Sequence, residues 1–198
     1  MAVTSEMIKG LRERTGAGVL DCKRALEQAE GDIERAIAIL RQQGLATAAK
    51  KAARVAREGI IEAYVHPGSK VASLVELNCE TDFVARTPDF RALAHDIAMQ
   101  IAAAKPLYVS RDDVPAEVTE AQRGIYRAEA AVEGKPQAAV DDEVERRLQA
   151  FYQEVVLLEQ PFIKDQTVRV RDLITQAIAK LGENIVVRRF ARFAIGEE

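Results

Sequence analysis

Few residues in this chain could carry covalent chemistry: Cys22, Cys79, His66 and His95 are all of its cysteines and histidines. A nucleophile needs an adjacent base, so Cys79 with His66 or His95 is the one dyad available. Cys79 closes an expected strand, however, and His95 falls on the polar flank of an amphipathic helix. Cys22, among Leu20, Ala25 and Leu26, reads as a small buried residue. The chain has no CxxC and no paired histidines, so no metal site is expected. Thr15-Gly16-Ala17-Gly18 resembles a phosphate loop only superficially, because the GK[ST] ending is missing and no strand precedes it. It is better read as a helix-helix connection. No catalytic residue, cofactor or metal is expected, and the protein is not expected to be an enzyme.

A different kind of chemistry is offered by Asn78-Cys79-Glu80-Thr81-Asp82-Phe83-Val84-Ala85-Arg86, where the chain must turn between a strand and a helix. The segment sets a carboxylate beside an aromatic ring. Two readings are open: Asp82 satisfies turn backbone while Phe83 packs into the core, which spacing alone favours, or the pair faces a partner.

The elements that must position this segment follow from composition and period. The 198 residues are 48% apolar, 30% charged and 5% aromatic, enough for a core and unlike a disordered chain or a disulfide scaffold. No stretch approaches the ~18 apolar residues of a membrane span, and Met1 to Gly10 has no signal-peptide core. A soluble, cytoplasmic protein is expected. The net charge of −3 is uneven: residues 1–57 carry 11 basic and 7 acidic side chains, residues 58–198 carry 17 and 24. A basic head on an acidic body bears on partners rather than on fold.

Thr4 or Ser5 can cap a first helix with Met7, Ile8 and Leu11 on its apolar face. A second starts at Val19 with Leu20, Ala25, Leu26 and Ala29 inward. Asp32 caps a third, with Ile33, Ala36, Ile37 and Leu40 inward, and Gly44 ends it. These helices form a domain over 1–50. Residues 51–57, from an Ala-rich segment bearing Lys50, Lys51, Arg54 and Arg57, are expected to be a basic linker helix. The body, 58–198, opens with period-2 alternation: strands near 59–66 and 70–79 join through His66-Pro67-Gly68-Ser69, and a third is expected near 184–195 with Ile185, Val187, Ala191, Phe193 and Ile195 on one face. Thr87-Pro88-Asp89 starts a helix whose Phe90, Leu93, Ala94, Ile97, Ala98 and Ile101 suit a sheet face. A helical hairpin is expected near 116–158, broken at Gly134-Lys135-Pro136, with Val118, Ala121, Ile125, Ala128 and Val132 facing Val144, Leu148, Phe151, Val155 and Leu158. A last helix runs from Val168 to Leu181. The fold class is α+β: a three-helix bundle, a linker helix, then a three-stranded antiparallel sheet packed with helices and a helical hairpin.

Leu11 to Leu26, with Arg14-Thr15-Gly16-Ala17-Gly18-Val19-Leu20-Asp21-Cys22 at its centre, Gly31-Asp32, Cys79-Glu80-Thr81-Asp82-Phe83-Val84 and Gln160-Pro161-Phe162-Ile163-Lys164 closely resemble the translation elongation factor Ts family. The segments are collinear and span nearly the whole chain. The resemblance implies a guanine-nucleotide exchange factor for the GTPase elongation factor Tu, with a head like ubiquitin-associated domains. It implies that Thr81, Asp82, Phe83 and Val84 dislodge the partner's Mg²⁺, and that Arg12, Val19, Leu20 and His66 form a secondary contact. Longer members carry two core subdomains. With one hairpin and one sheet, this chain looks like the short, Thermus-like form, which implies a homodimer and a 2:2 complex, without direct nucleic-acid or membrane contact. Val19-Leu20 stands where many members have Met-Met. Two other classes compete: a passive docking module, which gives residues 81–84 no role, and an RNA-binding factor using Lys50, Lys51, Arg54 and Arg57, against which the acidic body argues.

Overall fold

The computed structural model describes residues 3–132 and 136–197, so the expected helix break at Gly134-Lys135 lies outside the described residues. By its internal contacts the chain divides into two compact units. One comprises 1–62, 76–94 and 172–187, and the other 63–75, 95–171 and 188–198. The fold is α+β, as expected.

In the first unit, α1 (Ser5–Thr15) begins where the Thr4 hydroxyl accepts the Met7 amide. It ends on Gly16, whose φ of +67° lets its amide return to the Arg12 carbonyl. α2 (Val19–Gln28) follows, then α3 (Ile33–Lys51), capped by the Asp32 carboxylate on the Arg35 amide. Leu11, Cys22, Ala25, Leu26, Ala29 and Ala36 form the bundle's core.

Two expectations fail here. Leu20 is not inward but 68% exposed. Gly44 does not stop α3, which runs on to Lys51, so the helix expected from the Ala-rich segment is the last part of α3 and does not extend over 52–57. The physical reason is packing: Gly44 is buried, and a Cβ there would stand 3.8 Å from Ala179 of the last helix. That is an ordinary contact distance, so the site is packed without requiring glycine, and Gly44 keeps a helical backbone.

The sheet has the order β1-β2-β5, formed by β1 (Glu58–Val65), β2 (Val71–Cys79) and β5 (Val186–Ala194). It is antiparallel: the Ile195 amide, just past β5, donates to Lys70 at the start of β2, and the Asn78 side chain reaches Glu58 at the start of β1. Gly59 is required where β1 crosses β2, because its φ is +148° and a Cβ would collide with the Leu77 carbonyl. On β2, Ser73, Val75, Leu77 and Cys79 are buried as the alternation predicts.

On β5 the alternation slips. Val187 is buried but Phe193 is 66% exposed, and Arg192 points inward to give Nε–H to the Ala102 carbonyl at 3.0 Å. An odd interval separates the two inward residues, so the expected single apolar face from Ile185 to Ile195 does not exist.

A single helical turn, α4 (Asp82–Ala85), precedes α5 (Pro88–Ala104), whose expected stripe from Phe90 to Ile101 is buried throughout. In the second unit α6 (Ala116–Val132) pairs with α7 (Gln137–Val155). The α7 seam is as expected through Val155, while Leu158 lies beyond the helix. The α6 seam is shifted: Ala121, Ile125, Ala128 and Val132 are exposed, and Thr119, Arg123, Tyr126 and Ala130 make the contacts instead. A short hairpin of β3 (Pro161–Phe162) and β4 (Asp165–Arg169) precedes α8 (Val170–Leu181), so Val168 is a strand residue rather than the start of a helix.

Candidate functional site

The turn at residues 81–84 is built from its backbone outward. Thr81 is extended (φ −132°, ψ 150°), and its hydroxyl accepts the Val84 amide at 3.3 Å, making Thr81 the N-cap of α4. One turn of helix sends successive side chains in different directions. Val84 and Ala85 go inward, at 5% and 1% exposure, and Phe83 goes outward at 81%. The reading favoured by spacing, with Phe83 in the core, is therefore overturned. Thr81, not Asp82, caps the turn; the exposed Asp82 carboxylate meets Arg86 Nη2 at 2.6 Å. In water such a pair contributes ~0.2–1 kcal/mol and is readily exchanged for another cation.

The base of the turn is held by residues distant in sequence. Glu183, just after α8, accepts the Glu80 and Thr81 amides on Oε2, both at 3.0 Å, and the Thr81 hydroxyl on Oε1 at 2.6 Å. Glu80 answers by accepting the Asn184 amide at 2.6 Å. The Asn184 side chain donates to the Arg54 carbonyl at 2.8 Å, Arg54 approaches Glu80 at 3.6 Å, and Lys51 reaches the Gly182 carbonyl. Three segments, 51–54, 80–81 and 182–184, thus meet around two carboxylates. Lys51 and Arg54, half of the basic set considered for RNA, have intramolecular partners. Nothing local to residues 78–86 announces Glu183; the one available signal is its place beside the Gly182 helix stop.

Cys79 underlies the same turn. It is fully buried, its Sγ lies 3.2 Å from the Thr81 carbonyl, and burial, with the Glu183 charge second, pushes the thiol up to about 11. A thiol held protonated in this way lacks the thiolate character of a nucleophile. Burial likewise raises Cys22. Among the described residues no group of three or more His, Cys, Asp or Glu could hold a metal ion.

The secondary residues divide between the two units. Arg12 is exposed in the last turn of α1, and Val19 and Leu20, 52% and 68% exposed, open α2, so all three flank the turn at 16–18. His66 belongs to the second unit and is exposed, with Nδ1 3.0 Å from the Tyr64 hydroxyl.

Comparison with known proteins decides the affiliation. The family model described as elongation factor TS matches residues 27–197. The chain belongs to the elongation factor Ts family. It is 63% identical over 195 residues to elongation factor Ts of Carboxydothermus hydrogenoformans, covering 98% of this chain and 90% of the relative. It is 59% identical over 195 residues to that of Heliobacterium modesticaldum, covering 98% and 91%. With that of Herpetosiphon aurantiacus the identity is 56% over 196 residues, 99% of each chain. Elongation factor Ts relatives of this similarity span the head as well as the body, so Arg12, Val19 and Leu20 fall inside the matched region. Among the described residues no helix is long and apolar enough to cross a membrane.

Proposed function

We propose that this protein is a guanine-nucleotide exchange factor that releases GDP, with its Mg²⁺, from elongation factor Tu in the cytoplasm during translation elongation, making and breaking no covalent bond. The observation that carries this reading is Phe83. An aromatic ring 81% exposed, on a turn whose neighbours Val84 and Ala85 are buried and whose base is clamped, is a rigid apolar projection with no intramolecular role. Free energy spent on holding it outward is recovered only when a partner pocket covers it, and such anchors contribute about 2 kcal/mol or more to an interface.

Exchange follows from linkage. A factor that binds the nucleotide-free GTPase more tightly than the nucleotide-bound form must weaken nucleotide binding by the same ratio. Each tenfold of release requires about 1.4 kcal/mol of differential affinity. Phe83 acts as the wedge and Asp82, released from Arg86, reorients partner groups near the Mg²⁺. Thr81 and Val84 hold the turn, and Arg12, Val19 and Leu20 add a cation and an apolar knob from the head, which serves as the docking module. His66 is a further contact.

The protein acts as a homodimer in a 2:2 complex. Val65, Leu74, Phe193 and Ile195 are exposed on or next to the strands of the second unit, an apolar surface that a second copy would cover. Sedimentation should give twice the chain mass for the wild type and a lighter species for Phe193→Asp; a monomeric wild type discards the dimer.

Stopped-flow release of fluorescent GDP from elongation factor Tu tests the exchange reading. The wild type should accelerate release, and Asp82→Ala and Phe83→Ala should lose most of the acceleration. A folded wild type that leaves the rate unchanged would move the passive docking module to first place.

A further inference from the structure

We infer that Glu183 is the positioning residue of the exchange element: its carboxylate, approached from the opposite end of the chain, fixes the Thr81 backbone so that α4 starts there and Phe83 stands outward. The inference rests on the reading of residues 81–84 as that element.

The geometry is specific. A one-turn helix of four residues has almost no stability of its own, because nucleation fixes several dihedrals for one hydrogen bond. Its orientation must be imposed from outside. Val84 and Ala85 anchor one side by burial, Cys79 Sγ meets the Thr81 carbonyl at 3.2 Å and the Thr87 hydroxyl donates to the Val84 carbonyl at 2.8 Å, but none of these takes the Thr81 amide or orients the Thr81 hydroxyl. Glu183 supplies the missing constraint. Two backbone N–H groups, Glu80 and Thr81, converge on one oxygen at 3.0 Å, and the Thr81 hydroxyl converges on the other at 2.6 Å. That hydroxyl donates to Glu183 and accepts from the Val84 amide, so the carboxylate orients the very group that caps α4. The reciprocal bond from the Asn184 amide to Glu80 fixes the clamp itself, and Asn184 Nδ2 on the Arg54 carbonyl ties it to the chain leaving α3. A carboxylate suits this position because it accepts through both oxygens. An amide offers one acceptor and brings an N–H₂ toward the Thr81 hydroxyl.

The test is a double-mutant cycle read in nucleotide release from elongation factor Tu against concentration of the full-length factor. Glu183→Ala should lower the saturating release rate about tenfold, the scale of one or two lost charge-assisted hydrogen bonds. The concentration for half-saturation should move less than about threefold, because the head contacts are untouched. In a Phe83→Ala background the same substitution should change the rate less than about twofold, since Glu183 acts through the ring already removed. Glu183→Gln, which keeps volume and one acceptor, should fall between wild type and Glu183→Ala. Equal losses in both backgrounds, or a folded Glu183→Ala with wild-type rate, would overturn the inference. So would failure of both Glu183 variants to fold, which would make the residue a stability element. Release that depends on Phe83 but not on Glu183 removes only the positioning role, whereas a wild type without acceleration removes the exchange reading itself.

Discussion

Glu183 and Glu159 are both carboxylates that gather donors from remote parts of the sequence, yet they gather different things. Glu159, 4% exposed in the second unit, collects side chains: Arg111 binds it through two nitrogens at 3.0 Å, Arg171 at 2.7 Å and Arg169 at 3.2 Å. Arg111 also reaches Gln149 at 2.7 Å and lies over the Tyr152 ring. Three guanidiniums around one buried charge make a knot that ties α7, the segment before α6 and the β4-α8 junction together. Glu183 instead collects the backbone amides of an exposed turn. The Glu159 arrangement stabilises a fold and presents nothing; the Glu183 arrangement stabilises a presentation. The difference lies in what is left outside: around Glu159 only the flanks of arginines, around Glu183 a whole phenyl ring.

The comparison breaks most visibly in stability. Glu159→Ala removes the carboxylate that three cations share, and loss of one partner from a buried ion pair costs about 3–5 kcal/mol. Here Arg111, Arg169 and Arg171 keep 37%, 41% and 44% of their side-chain surface, and solvent offsets part of that, so about 2–3 kcal/mol is expected. Chemical denaturation should show it, while the saturating release rate of the folded variant stays within about twofold of wild type. A Glu159 variant as stable as wild type would mean that the knot is ornamental and the contrast false.

Phe83→Ala should show the opposite pattern. Truncating a ring that is mostly in water leaves no cavity, so unfolding free energy should change by less than about 0.5 kcal/mol. The interface loss of about 2 kcal/mol corresponds to roughly a thirtyfold slower release. A large drop in denaturation midpoint, with activity kept by the folded fraction, would return Phe83 to the core.

Local signals in the sequence were sufficient where local physics decides. The caps at Thr4 and Asp32, the Gly16 stop, the hairpin turn after Val65 and the α5 stripe from Phe90 to Ile101 all stand as their residue types require. Errors arose where packing at a distance overrides them. Gly44 reads as a stop until α8 lies against it. Apolar residues alone point to Ile125 and Val132 for the α6 seam, but Tyr126 packs its partly buried ring there with Arg147 above it and Thr119 meets the Tyr152 hydroxyl, so amphipathic side chains form the seam instead. Phe193 exchanged places with Arg192 because a carbonyl of α5 accepts the guanidinium. Residues 81–84 are legible in the sequence as a motif, but their orientation is not. It depends on one helical turn and on a carboxylate about a hundred positions away.

The smallest expected effect tests whether the Glu183 charge sits at the turn in solution. Cys79 reports on it, because burial first and the Glu183 charge second raise its thiol from 9.0 to about 11. Between those pH values the unfolded chain has lost the thiol proton and the folded protein has kept it. Rising pH therefore favours unfolding across that window: the contribution of Cys79 is whole below pH 9.0 and lost as pH passes about 11. Glu183→Gln removes one of the three raising causes and leaves burial and the smaller effect of the Glu58 charge, so the thiol should titrate at lower pH than in wild type while staying above its ordinary value. Ultraviolet absorbance of the thiolate, followed against pH in a Cys22→Ala background, measures this directly. Glu159→Gln should leave the same titration in place, because its carboxylate is not among the charges acting on Cys79. If both substitutions moved it equally, the shift would come from a general loosening of the protein, and the separation between a carboxylate that holds a fold and one that holds a turn would disappear.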